Sequence, residues 1–210
     1  MDGRVEFRDV YLRYRPNTPL VLKGVSFSVK SGERIGICGR TGAGKSSIMQ
    51  ALFRIVEADR GDIHIAGVNI KHIPLRFLRA RLAIIPQDPV IFGGSVRYQL
   101  DPFEEYPDDA IWAVLGKVNM AAADEATSAV DPNTDDLIQT VLREEAQREG
   151  TTILTIAHRL HTIVDFDRIL VLGEGEVIEY DTPTYLSDSD SEFSRMLSDY
   201  NSQHNHHPST

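Results

Sequence analysis

The chain has 210 residues, of which 41% are apolar, and its 31 acidic and 22 basic residues give a net charge of −9. This length suits one domain with a packed core, and the negative charge argues against a nucleic-acid-binding surface. The single cysteine excludes a disulfide framework, which is typical of a reducing compartment such as the cytosol. No apolar run approaches the ~20 residues that cross a bilayer, and no signal-peptide pattern follows Met1.

The N-terminal part alternates apolar and polar residues over Val5 to Tyr14 and again over Val21 to Val29, which predicts two strands. Tyr14 could stack on a nucleotide base, although packing within a sheet is the simpler interpretation. The short run from Arg34 to Cys38 predicts a buried strand, in which Cys38 is expected to act as a small buried apolar residue.

A glycine-rich segment follows this strand. Residues 39–46, GRTGAGKS, fit the phosphate-binding pattern G-x-x-x-x-G-K-[ST], and the apolar spacing from Ser46 to Val56 predicts a helix immediately after it. The glycines let backbone N–H groups face phosphate oxygens, Lys45 adds a positive charge, and the Ser46 hydroxyl can bind Mg²⁺. Because the helix dipole also favours an anion there, the sequence predicts a nucleotide-phosphate site, without specifying the P-loop family.

The next segment predicts a hairpin over residues 63–70, a helix over Leu75 to Leu82 and an apolar strand over Ala83 to Pro86. Gln87 follows that strand, where it could bind Mg²⁺ or hold a water, although an ordinary loop residue is the simpler interpretation. A helix is then predicted over Asp108 to Val118.

Polar side chains also follow two later apolar segments. Asp124 and Glu125 come directly after three alanines, where they could hold Mg²⁺ and polarise a water, or could be acidic turn residues. Asp131 is expected to begin a helix. The β-branched run from Thr151 to Ile156 predicts a strand that ends close to His158.

The C-terminal part predicts a hairpin over residues 169–180 and a short helix over Glu192 to Leu197. A polar tail follows. Its His204, His206 and His207 could bind a metal, but a disordered terminus is the simpler interpretation.

Four segments in combination resemble the nucleotide-binding domain of an ABC transporter: the P-loop, IPQDP (85–89), DEATSAVD (124–131) and IAHRL (156–160). LRYRP (12–16), GRTGAGKSS (39–47) and LDPF (100–103) are similar to the second such domain of subfamily C, the multidrug-resistance-associated transporters. The resemblance implies an α/β fold: a P-loop NTPase core with a mostly parallel sheet flanked by helices, an N-terminal antiparallel β subdomain and a truncated helical subdomain. It implies an ATP-binding domain over residues 1–198 and a disordered tail over 199–210.

The resemblance also implies a role for each matching residue. Gln87 would sense the γ-phosphate and couple to the membrane domain, Glu125 would be the catalytic glutamate, and His158 would contact the γ-phosphate. Asp124 matches the Walker B aspartate and Asp131 the D-loop aspartate. The implied metal ligands are Ser46, Gln87 and Asp124. The implied ATP-binding residues are Tyr14, which stacks on adenine, with Gly39, Thr41, Gly42, Ala43, Gly44, Lys45, Ser46 and Ser47.

One departure from the family is large. A helical segment with an LSGGQ-type signature precedes the Asp-Glu pair in the family, whereas here Met120 leads through three alanines straight to Asp124. We therefore expect an internal deletion of several dozen residues near 119–123. It should remove bulky apolar side chains from a strand next to the P-loop strand, and so weaken the core.

Two functional hypotheses remain open. The first is an ATP-binding and ATP-hydrolysing domain of an exporter of organic anions or conjugates, peripheral at the cytoplasmic face of a plasma or vacuolar membrane. It would use ATP and Mg²⁺, with transmembrane domains and a second nucleotide-binding domain supplying the signature as partners, and no nucleic acid. The second is a nucleotide-binding module without turnover, either a pseudo-enzyme or the product of a splice or gene-model deletion. A nucleotide kinase or GTPase is less consistent, because either would lack the segments IPQDP (85–89) and IAHRL (156–160). A GTPase would also need an N-K-x-D guanine motif, which does not occur.

Overall fold

A computed structural model describes residues 2–85, 95–117, 150–157 and 159–204. It divides the chain into two compact units, residues 1–83 with 149–210, and residues 84–148. The described part of the first unit contains the strands β1 (Val5–Leu12), β2 (Leu22–Val29), β3 (Arg34–Cys38), β4 (Arg60–Ile65), β5 (Val68–Asn69), β6 (Ile153–Ile156), β7 (Arg168–Gly173) and β8 (Glu176–Asp181). Its helices are α1 (Lys45–Leu52), α2 (Leu75–Arg79), α5 (Pro183–Asp188) and α6 (Glu192–His204), with short 3₁₀ turns at Ile70–His72 and Leu160–Thr162.

The N-terminal strands form an antiparallel sheet in the order β2-β1-β4-β5. On β1 the apolar residues Val5, Phe7, Val10 and Leu12 are buried, as the alternating pattern predicts. The strand ends at Leu12, two residues earlier than predicted, because the chain bends at Tyr14 and Arg15.

The second sheet has the order β6-β3-β7-β8. Strands β6, β3 and β7 run parallel, and β8 pairs antiparallel with β7. Together with the N-terminal sheet, this architecture confirms the predicted α/β fold with an antiparallel β subdomain.

The pairing of β3 corrects one expectation. A strand has two hydrogen-bonding edges, and β3 uses one for β6 and the other for β7. The prediction that the deleted strand lies next to the P-loop strand is therefore wrong. Among the described strands, β6 is at the edge of this sheet.

Two apolar clusters pack against opposite faces of the mixed sheet. Leu170 and Leu172 of β7 belong to the larger cluster, which includes α1 and the antiparallel sheet, whereas Ile169 and Val171 face the smaller one. A strand buried on both faces carries a continuous apolar run, which explains the sequence of β7. The smaller cluster contains Cys38, Ala157, Ile163, Phe166, Ile169, Val171, Leu186 and Phe193.

Cys38 is confirmed as a buried apolar residue. Burial, and secondarily the nearby charge of Glu179, raises the pKa of its thiol to about 12. The thiol is therefore neutral and unreactive at physiological pH.

Other elements differ from their predicted extents. Residues 83–85 form no strand, and Ile84 and Ile85 are exposed, because no described strand pairs with this apolar run. Helix α6 continues to His204, beyond the predicted helix end at Leu197, so residues 199–204 of the expected disordered tail are helical. Helix α5 was not predicted, although Thr182 caps it and Pro183 occupies its first turn.

The described part of the second unit contains α3 (Val96–Leu100) and α4 (Asp108–Lys117), of which only α4 was predicted. The buried Asp101 carboxylate accepts hydrogen bonds from the Glu105 and Tyr106 amides, each 2.9 Å long, and from Arg97 at 3.0 Å. Arg97 also pairs with Asp108 at 2.7 Å. These contacts fix the connection between the two helices.

None of the helices in the described residues is both long enough and apolar enough to cross a membrane.

Candidate functional site

The glycine-rich segment forms the loop between β3 and α1. Gly39 has a φ of 141°, and a side chain there would fall on the carbonyl oxygen of Leu172. Gly44 has a φ of 100° at the N-cap of α1 and lies against Val21 and Leu22. Both positions therefore require glycine, for backbone conformation and for space.

The amide groups at the end of the loop are available to a ligand. In the described part of the chain, the N–H groups of Gly44, Lys45 and Ser46 donate no hydrogen bond. Amides at a helix N-terminus lack intrahelical acceptors and lie at the positive end of the helix dipole. The loop therefore presents donors and positive potential to an anion.

The Lys45 side chain folds back across this loop. Its Nζ donates to the carbonyl oxygens of Gly39, at 2.6 Å, and Arg40, at 2.9 Å. Burial lowers the pKa of Lys45, because the ammonium loses hydration. Anionic oxygens are stronger acceptors than these neutral carbonyls, so an anion in the loop would compensate the lost hydration.

The hydroxyl groups of the site lie at different depths. Thr41 and Ser46 are exposed, whereas Ser47 is only 3% exposed. The Ser47 Oγ lies 2.8 Å from the hydroxyl oxygen of Tyr14, and either group could donate. Tyr14 is 48% exposed and lies in the bend after β1, so it is not a residue packed within a sheet.

The turn between β7 and β8 braces the loop. The Gly175 amide donates to the Ala43 carbonyl at 3.1 Å, and the Gly175 carbonyl accepts from the Lys23 amide at 2.8 Å. A side chain at Gly175, where φ is 88°, would meet Val21. The sequence pattern predicts only a hairpin turn here, and the glycine between the two strands is the available signal.

Arg40 connects the loop to the C-terminal helix. Its Nη2 lies 3.3 Å from a carboxylate oxygen of Glu192, although the Arg40 side chain is 83% exposed. The Glu179 carboxylate on β8 accepts hydrogen bonds from the amides of Glu192 and Phe193, at 2.6 and 3.1 Å. No motif links residues so distant along the chain, so the sequence carries no signal for these contacts.

The other predicted site residues lie outside the described residues. They are Gln87, Asp124, Glu125, Asp131 and His158, together with the junction at 119–123. The strand before His158 is described: the Ala157 amide donates to the Ile37 carbonyl at 2.9 Å. The carboxyl end of β6 thus lies beside the end of β3, at the sheet edge where the loop begins.

A buried parallel strand that leads through a glycine-rich loop into a helix defines a P-loop nucleotide-binding domain. The family model described as "ABC transporter" matches residues 22–163. The chain belongs to the ABC transporter family, whose nucleotide-binding domains are ATPases.

Several curated relatives belong to subfamily C. The chain is 42% identical to ABC transporter C family member 3 of Arabidopsis thaliana, over 96% of this chain and 16% of the relative. It is 42% identical to ATP-binding cassette sub-family C member 2 of Rattus norvegicus, over 92% of this chain and 15% of the relative. Among solved structures, a bacterial Atm1-family ABC exporter with ATP bound matches with a TM-score of 0.86 and 29% identity, over 95% of this chain and 42% of that one.

Two lengths follow from these alignments. The chain spans about a sixth of the length of its curated relatives. The Arabidopsis alignment extends over 244 residues although the chain has only 210, so at least 34 positions of the relative have no counterpart here.

Proposed function

We propose that this chain binds ATP with Mg²⁺ and contributes the P-loop half of an ATPase site that powers an exporter. The observation that carries the proposal is that Lys45 donates to two loop carbonyls, beside three amide N–H groups that donate no hydrogen bond to a described residue. Both features supply what a polyphosphate needs, directed N–H donors and a mobile positive charge.

The described residues fit the nucleotide. Tyr14 offers a half-exposed ring for stacking, and Lys45 would exchange the carbonyls of Gly39 and Arg40 for phosphate oxygens. The exposed Ser46 hydroxyl is an oxygen ligand of the kind that Mg²⁺ prefers. Bound Mg²⁺ would offset the charge of the β- and γ-phosphates.

The roles in hydrolysis are proposed from the family resemblance. Glu125 would orient the attacking water, while Lys45 and His158 would stabilise charge on the transferred phosphoryl group. Gln87 and Asp124 would complete the metal shell, and Gln87 would report the state of the γ-phosphate to a transmembrane domain. Asp131 would take the place of the D-loop aspartate.

We propose that the internal deletion lies near residues 119–123. The length difference of at least 34 positions supports a missing segment, and the alanine junction before Asp124 supports its position. Without a signature motif, the chain needs a second nucleotide-binding domain to close the ATP site. The full assembly would include transmembrane domains, hold this chain at the cytoplasmic face of a plasma or vacuolar membrane, and export organic anions or conjugates.

A second candidate is a nucleotide-binding module without turnover. The same length difference favours it, since the signature lies in the segment that the family has and this chain lacks. The two candidates share the nucleotide site and differ in hydrolysis.

Nucleotide binding tests what the candidates share. We expect calorimetric titration with ATP and Mg²⁺ to give saturable binding, and Lys45→Ala to weaken it by at least ~10-fold, because a charge-assisted contact is lost. Lys30→Ala, on the turn after β2, is the matched control and should bind like the unmodified chain. Equal affinities in all three proteins would contradict the proposed site.

Turnover separates the candidates. We expect phosphate release by the chain alone to remain at background, and to rise when a nucleotide-binding domain with an intact signature is added. Glu125→Gln should abolish that rise while leaving ATP binding intact. Glutamate-dependent hydrolysis by the chain alone would show that a signature is not needed, and no rise with the partner would favour the module without turnover.

A further inference from the structure

The contact between Tyr14 and Ser47 joins the base-binding and phosphate-binding parts of the site. Their hydroxyl oxygens are 2.8 Å apart, one on the bend after β1 and the other in the first turn of α1. Ser47 Oγ makes no other hydrogen bond to a described residue. Burial of Ser47 makes this contact important, since an unpaired buried hydroxyl is costly.

The carbonyl groups nearest along the helix are already engaged. A helical serine often donates to the carbonyl three or four residues earlier. Here the Ala43 carbonyl accepts from the Gly175 amide, and the Gly44 carbonyl accepts from the amides of Ser47 and Ile48. The carbonyl groups of its own helix therefore compete only weakly as acceptors for the Ser47 hydroxyl proton.

The chemistry of the two hydroxyls favours one direction of donation. A phenol is a stronger acid than an aliphatic alcohol, so its O–H is the better donor. A serine hydroxyl can accept and donate at the same time. If Tyr14 donates to Ser47 Oγ, the single proton of Ser47 remains available for an anion at the start of α1.

We propose that Tyr14 is a positioning residue for phosphate: its hydroxyl donates to Ser47 and orients the Ser47 O–H toward the bound phosphate chain. This inference rests on the proposed function of the same site. It gives Tyr14 a second role that is independent of base stacking. Mutual polarisation along the chain of hydroxyls strengthens the final contact.

A double-mutant cycle separates the two roles. Tyr14→Phe keeps the ring and removes the hydroxyl, and Ser47→Ala removes the acceptor. ATP affinity with Mg²⁺ is measured by calorimetry for the 210-residue chain, both single variants and the double variant. Tyr185→Phe, an exposed tyrosine on α5, is the matched control.

We expect Tyr14→Phe to weaken ATP binding by about 3- to 10-fold, the range of one neutral hydrogen bond, and to have no effect when Ser47 is already alanine. Tripolyphosphate, which has no base, should show the same loss in a competition titration. An effect of Tyr14→Phe that persists in the Ser47→Ala background would overturn the inference and leave only stacking. Equal affinities of Tyr14→Phe and the unmodified chain would also overturn it.

The inference and the proposed function fail in different ways. If the unmodified chain binds neither ATP nor tripolyphosphate, the proposed function is wrong. If it binds ATP and Lys45→Ala does not, but the cycle shows no coupling, only the role of the Tyr14 hydroxyl is wrong. Thermal unfolding of each variant checks that the fold is intact.

Discussion

At the scale of single residues, the pair Arg168 and Glu33 joins β7 to the turn before β3. The guanidinium donates to both Glu33 oxygens, at 2.6 and 2.8 Å, and to the Ser28 carbonyl at 2.8 Å. It also lies 4.2 Å from the centre of the Tyr180 ring. Bidentate geometry and partial burial make this pair stronger than an exposed ion pair.

Glu33→Gln should lower the free energy of unfolding by about 2 kcal/mol at neutral pH, because Arg168 loses its ionic partner. Urea denaturation measures the change. Glu57→Gln, whose carboxylate is 61% exposed where it pairs with Arg54, is the control and should cost less than ~0.5 kcal/mol. A Glu33→Gln effect as small as the control would contradict the role of the pair.

The pair also predicts a dependence on pH. Burial by itself raises the pKa of Glu33, but hydrogen bonds and charge from Arg168, with the Lys30 amide, outweigh it and lower the pKa. The stabilisation is therefore present above the ordinary carboxyl pKa and is lost as the pH falls through the lowered value. The difference between the unmodified chain and Glu33→Gln should stay constant from neutral pH down to the ordinary carboxyl pKa of about 4.3, and shrink as the pH falls below it.

At the scale of elements, α6 supports the end of the P-loop strand. Phe193 is fully buried in the cluster that contains Cys38, which ends β3, and Ala157, which follows β6. The Glu179 carboxylate accepts two of the first amides of the helix, where the helix dipole favours a negative charge. Anchored in this way, α6 shares an apolar cluster with Cys38, the last residue before the glycine-rich loop.

Phe193→Ala should cost about 3 to 5 kcal/mol of unfolding free energy, because it leaves a cavity between β7 and the C-terminal helix. Chemical denaturation followed by circular dichroism measures the loss. Phe77→Ala on α2 removes a ring that is about half exposed, so it should cost much less. Equal losses in the two variants would show that α6 does not contribute to the core.

Local patterns predicted β3, the loop, α1 and the two hairpins, because each depends on neighbours in sequence. Glycine positions in the P-loop encode backbone angles, so the candidate phosphate-binding residues were also predictable. The neighbours of β3 were not, since β6 lies more than a hundred residues away in the chain and parallel pairing leaves no local signal. The hydrogen bond between Tyr14 and Ser47 and the ion pair between Arg40 and Glu192 were not predictable either, because each joins residues far apart in sequence.

At the scale of the whole molecule, β6 differs from the other parallel strands. All four of its residues are only partly buried, whereas β3 and β7 are almost fully buried. A parallel strand is normally covered on both faces. Under the proposed deletion before Asp124, each Val, Leu or Ile lost would remove roughly 1.5–3 kcal/mol, and net domain stability is only ~5–15 kcal/mol.

We therefore expect amide hydrogen exchange to be faster in β6 than in β3 and β7, and urea unfolding to begin at low denaturant concentration. The matched control is the same chain with the absent segment restored from the Arabidopsis relative, which should slow exchange in β6 and sharpen the transition.

ATP with Mg²⁺ should protect β3 in both proteins, because a ligand of the native state stabilises it. Cooperative unfolding with β6 as protected as β3 in the unmodified chain would mean that its core is complete without the segment. The deletion would then affect only the contact with a partner domain, because the P-loop half of the site would already have all the packing it needs.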